Sequence, residues 1–94
     1  MQPLDSPDAL LYSTTEGIAR RLVKEGRPIT SMTSVLELIG NDETELALDE
    51  LVRIIEYFRI SIMQEEYSCL VAAATRLDSM DSLLETGVDR FIIT

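Results

Sequence analysis

The sequence predicts an all-α fold, a compact four- or five-helix bundle formed as a single domain over residues 1–94. Three observations predict it. Apolar residues recur three and four apart in separate stretches, glycine and proline punctuate the chain between them, and helix-start signals stand at Ser6, Asp42 and Ser61. Connections this short favour antiparallel helical neighbours. No internal repeat, low-complexity tract or domain linker interrupts the pattern.

The first helix starts at Ser6-Pro7-Asp8, with serine as N-cap, proline at the first helical position and aspartate complementing the helix dipole. Its apolar side is Leu11, Ile18 and Leu22, with Ala19 and Val23 beside them. Thr14-Thr15 and Gly17 weaken its middle and leave room for a kink, and Gly26-Arg27-Pro28 stops it. Thr30 or Ser31 caps a short second helix through Val35, Leu36, Leu38 and Ile39, which Gly40-Asn41 ends as a left-handed C-cap.

Asp42 as N-cap and Glu45 as the third-position carboxylate open a third helix. Its core stripe is Ala47, Leu48, Leu51, Ile54, Ile55 and Phe58. A fourth helix puts Tyr67, Leu70, Val71, Ala74 and Leu77 on one face, and Ala72-Ala73 allow a close approach of the third helix. Residues 81–85 give one further turn, and the apolar tail from Val88 to Thr94 can dock back on the body.

The stretch from Gly40 to Tyr67 also carries a family pattern. An acidic, capped segment leads to Ala47-Leu48, then to Leu51 and Ile54-Ile55, to Ile60-Ser61-Ile62, and to a helix beginning Glu65-Glu66-Tyr67. In this third of the chain the sequence resembles the Maf-type and contact-dependent-inhibition-type immunity proteins of bacteria, small acidic helical proteins that each neutralise one toxin. The family pattern has Ser or Thr where this chain has Met63. The missing cap suggests that Ser61 and Gln64 form the capping box instead, starting the helix two residues early. The resemblance implies a stoichiometric inhibitor, bound one to one to the C-terminal domain of a cognate toxin. A nuclease, and an RNase in particular, is the toxin expected.

Composition bounds the alternatives. Seventeen acids against eight bases give a net charge of −9, which repels a phosphate backbone and attracts a basic protein surface. A chain of this length buries about 60–65% of its unfolded surface, enough for a core but not for a deep catalytic cleft as well. No apolar run approaches the roughly 18 residues of a membrane span, and Met1-Gln2-Pro3-Leu4-Asp5 has no signal-peptide character. The single Cys69 agrees with a reducing compartment, so a bacterial cytoplasmic protein is expected.

Chemistry-bearing patterns point away from catalysis and cofactors. The chain has no histidine, which removes imidazole acid–base work and His-based nucleophile or metal sites, and its four glycines stand too far apart to cradle a phosphate. Cys69 lacks an electropositive setting in the sequence and reads as a quiet structural thiol. Asp42, Glu43, Glu45, Asp49 and Glu50 lack calcium-loop spacing, and helical carboxylates diverge. Asp81-Ser82-Leu83 matches the tripeptide of acyl carrier proteins, yet it lies too near the end of the sequence for the two helices that follow it in those carriers.

What remains is a partner surface, weighed against a merely solvated helix face. Residues 37–50 hold six acids and no base, whereas residues 20–27 hold four bases and one acid. That asymmetry creates a directional field able to steer a basic partner. The expected contact is Glu45, Asp49, Arg53 and Glu56, three or four residues apart on the outward side of the third helix, with Asp42 and Glu43 at its start. A helical adaptor or regulatory subunit without a toxin partner is the competing class.

Overall fold

A computed structural model describes residues 6–93; residues 1–5 and Thr94, and with them the N-terminal pentapeptide and the last residue of the tail, lie outside the described residues. The order is α1 (Pro7–Lys24), α2 (Ser31–Gly40), α3 (Thr44–Phe58), β1 (Ile62–Met63), α4 (Gln64–Leu77) and α5 (Met80–Thr86). A 3-10 turn, Val88–Phe91, and β2 (Ile92–Ile93) follow. Over the described residues the molecule is therefore an all-α bundle of five helices, plus one small pairing that helical periodicity could not announce. β1 and β2 lie parallel, Ile62 opposite Ile92 and Met63 opposite Ile93, and fasten the tail to the α3–α4 connection.

α3 is the central helix because its buried stripe is too wide for one neighbour. Ala47, Leu48, Leu51, Val52, Ile54 and Ile55 are all buried, covering well over the arc that one packed helix needs. α2, α1 and α5 pack around it. The fourth helix was expected to pack on the third; α4 instead lies chiefly against α1 and touches α3 little. Two features explain the correction. The wide face of α3 is already occupied, and Arg21 of α1 clasps the start of α4.

That clasp is bidentate. Arg21 Nη1 and Nη2 donate to Glu66 Oε2 and Oε1 at 2.7 and 2.9 Å, and Nη2 donates also to the Ser61 carbonyl at 2.7 Å. Glu66 Oε1 accepts in addition from the Met63 backbone N–H at 2.8 Å. α4 thus starts after Met63 with Glu66 at its third position, so the proposed Ser61–Gln64 capping box is corrected: the Ser61 carbonyl, not its hydroxyl, carries the local contact. Gly17 faces this carboxylate without crowding it, since even a Cβ there would stand at an ordinary contact distance of 3.8 Å from Glu66 Oε2.

The first four helices end in the same way. After α1, Gly26 N–H donates to Val23 O and Arg27 N–H to Leu22 O, the paired bonds of a Schellman motif with Gly26 left-handed at φ 76°. The same pair closes α2 around Asp42, α3 around Arg59 and α4 around Asp78, at φ 61°, 53° and 56°. Asp42 is therefore the left-handed terminator of α2 rather than the N-cap of α3. Glu43 takes the N-cap position without a side-chain bond, and Thr30 likewise caps α2 with no side-chain bond. Ser6 does cap α1, its Oγ accepting from Ala9 N–H at 3.1 Å.

Two apolar assignments change. Val23 is 63% exposed and Phe58 37% exposed, whereas Thr14 and Thr15 occupy the buried side of an uninterrupted α1. Val23 sits one position beyond the Leu11–Ile18–Leu22 line, where the helix has already turned outward.

Candidate partner-binding face

The corner between α2 and α3 gathers exposed carboxylates because two helix termini meet there. Asp42 ends one helix, Glu43 caps the next, and Glu45 lies in the first turn of α3, where negative charge complements the dipole. All three are exposed, and Glu37 is exposed on the last turns of α2. Asp42 and Glu43 have no side-chain hydrogen bond or ion pair among the described residues. Leu46, 57% exposed, places an apolar side chain directly beside Glu45. The corner itself is anchored from beneath, where Thr44 Oγ1 donates to Asp8 Oδ1 at 2.6 Å.

Further along α3 the expected stripe changes character. Asp49 is half-buried, paired with Arg53 at 3.2 Å and receiving a long hydrogen bond from Ser82 Oγ at 3.5 Å. Glu56 pairs with Arg90 at 3.3 Å, and Glu45 receives a long bond from Ser79 Oγ at 3.4 Å. α5 and the turn Val88–Phe91 fold against this flank, so Asp49 and Glu56 do not stand clear of the body. At ~1.5 Å rise per residue, Glu56 lies about 16 Å along the axis from Glu45. Of the six expected contact residues, Asp42, Glu43 and Glu45 form one acidic group, while Asp49, Arg53 and Glu56 belong to ion pairs leading away from it.

The opposite end of α3 holds what sequence reasoning did not single out. Tyr57 is 80% exposed and meets Phe58 edge-on, with ring centroids 4.9 Å apart. Arg59 follows in the left-handed conformation, Arg27 Nη2 donates to the Phe58 carbonyl at 3.1 Å, and the Arg90 guanidinium stands 4.8 Å over the Phe91 ring. A cleft of about 420 Å³ opens between Glu56, Tyr57, Arg59, Arg90 and Phe91. The signal in the sequence was Tyr57 itself, one turn beyond Arg53 on the outward line and off the core stripe.

Other recesses are less enclosed. A trough of about 780 Å³ along α1 is bounded by residues of that helix alone, from Glu16 to Lys24, so no second wall holds a ligand. Ser82 is half-buried, bonded to Asp49 and set in a seven-residue helix, a poor match to a carrier serine at the exposed start of a long one. Cys69 is half-buried without a disulfide partner. Among the described residues no group of three carboxylate or thiol side chains converges as metal ligands would, and no helix is long and apolar enough to cross a membrane.

Comparison of the chain with protein-family models, with curated proteins and with solved structures found no match.

Proposed function

We propose that the protein is a non-catalytic inhibitor of the immunity type, which binds a basic toxin domain, a nuclease, one to one through the acidic corner between α2 and α3. The observation that carries this reading is the set of exposed carboxylates Asp42, Glu43 and Glu45 around the exposed Leu46, in a stretch of chain with no base from residue 37 to 50. Apolar contact supplies short-range affinity, and the surrounding charge supplies steering and selection. A nuclease cleft that grips phosphates is basic, so an acidic corner can occupy or flank it. The resemblance of residues 40–67 to toxin-immunity proteins supports the same reading.

The test is co-expression with the C-terminal domain encoded by the neighbouring upstream reading frame, followed by purification and association kinetics. An equimolar complex is expected. Reversing Glu43 and Glu45 to Lys should slow association at least about tenfold at low salt and flatten its salt dependence, with cell protection falling in step. Glu65→Lys, on α4 and away from the corner, is the control and should change little. Unchanged association for the Glu43/Glu45 reversal, with folding intact, rejects this face.

A further inference from the structure

The carboxyl end of α3 has the composition of an interface core and the opposite charge sign from the corner just described. We infer that the cleft between Tyr57, Arg59, Arg90 and Phe91 is a second docking site, one that takes an acidic segment of a protein partner bearing a carboxylate next to an apolar side chain.

Three observations converge on it. First, Arg59 adopts φ 53°, ψ 52° at a helix end, a conformation in which a side chain costs energy and glycine costs none, and its guanidinium has no ion pair or hydrogen bond among the described residues. The left-handed backbone is the helix terminator that Asp42 and Asp78 share, so the unpaired guanidinium is what marks this position for a ligand. Second, Arg59 shares the cleft with two aromatic rings, Tyr57, 80% exposed, and Phe91; tyrosine, phenylalanine and arginine are the residues over-represented where proteins bind one another. Third, the cleft already receives one carboxylate. Glu56 reaches Arg90 at 3.3 Å, with the two side chains 42% and 59% exposed, a geometry weak enough to be exchanged for a better acceptor.

Charge selects the occupant. Four of the eight bases in the chain, Arg27, Arg53, Arg59 and Arg90, flank this end of α3. A guanidinium pair bounded by aromatic rings suits planar carboxylates, which it can hold in forked hydrogen bonds. A polyphosphate chain or nucleic acid, whose charge would run beyond the arginines onto the acidic remainder of a chain of net charge −9, is disfavoured against a short segment with a local carboxylate. The site is independent of the toxin reading, because it uses a different end of α3 and a partner of opposite charge.

The experiment is a titration of the isotope-labelled full chain, followed by amide and aromatic NMR shifts. The probe is a capped hexapeptide of alternating glutamate and leucine. Saturable shifts are expected at Tyr57, Phe58, Arg59, Arg90 and Phe91 and not at Asp42–Glu45. Arg59→Gly relieves the backbone and keeps the fold, so its expected weakening of at least about tenfold reports the loss of the arginine side chain and not of the fold. Replacing the glutamates of the probe by glutamine should abolish the shifts. The inference is overturned by an absence of shifts at millimolar peptide, by equal binding of the glutamine probe, by unchanged affinity in Arg59→Gly, or by tighter binding of a single-stranded RNA dodecamer to the same residues.

Discussion

At the scale of single residues, conformation and satisfaction of polar groups decide more than residue type. Asp42, Arg59 and Asp78 all hold left-handed positions that glycine fills most cheaply. A left-handed side chain costs about 1–2 kcal/mol and the added flexibility of glycine costs about 0.5–1, so Asp78→Gly should raise stability by about 0.5 kcal/mol or slightly more. Arg59→Gly should gain more, because aspartate tolerates this region better than arginine does. Urea midpoints check both. Asp42→Gly separates two roles, since it should stabilise the chain while removing one exposed charge from the acidic corner. Thr15 is fully buried, and its Oγ1 has no hydrogen-bond partner among the described residues. Thr15→Val should therefore be neutral or stabilising by up to about 1 kcal/mol, whereas Thr86→Val loses a 2.8 Å bond to the Ser82 carbonyl and should cost about 0.5–1.5 kcal/mol.

At the scale of elements, α3 organises the core and the Arg21 clasp organises the junction of α1 with α4. Leu51 and Ile55 are fully buried, so Leu51→Ala or Ile55→Ala should cost about 2–5 kcal/mol by equilibrium unfolding. Arg21→Ala removes hydrogen bonds to Glu66 and to Ser61 at once and leaves a carboxylate that is mostly shielded from water. It should cost about 2–4 kcal/mol. The hydrogen bond to Glu66, opposed by burial and aided by the charges of Glu66 and Glu25, raises the Arg21 pKa above its ordinary value. A cation with a raised folded-state pKa contributes its full stabilisation below the unfolded value and loses it only as pH climbs through the folded one. Arg21 should thus add no slope to stability between pH 7 and 10. Arg21→Lys should keep its charge through that window and lose only the forked geometry, so its unfolding midpoint should fall by a similar amount at pH 7 and at pH 10.

At the scale of the whole molecule, the charge is arranged along α3 rather than spread evenly. Exposed carboxylates collect where α2 meets α3, and arginines with aromatic rings collect where α3 ends. Half of the bases in an acidic chain thus flank one pole, which gives the two ends different electrostatic reach despite the net charge of −9. The radius of gyration of 12.0 Å is close to the roughly 12 Å expected for a folded unit of this length. Far-ultraviolet circular dichroism should be dominated by helix, and a spectrum dominated by sheet would reject this architecture.

The sequence by itself determined the helices, most of the core and the charge asymmetry, because each depends on residues a few positions apart. The 3.6-residue periodicity gave Leu11, Ile18 and Leu22, and it gave Leu48, Leu51 and Ile55; Ser6-Pro7 gave the first cap, and glycine gave the end of α1. Asp42, Glu43 and Glu45 were legible as an acidic group for the same reason. Tertiary structure alone decided what depends on distant residues meeting. It placed α4 on α1, through a contact between Arg21 and Glu66 that spans forty-five positions. It paired Ile62 with Ile92, drew Asp49 and Glu56 into ion pairs beside α5 and the final turn, and left Phe58 and Val23 outside the core. Periodicity reports which side of a helix is apolar, but only the packed neighbours determine how far round that helix the burial extends, and which charged side chains stay exposed and unpaired.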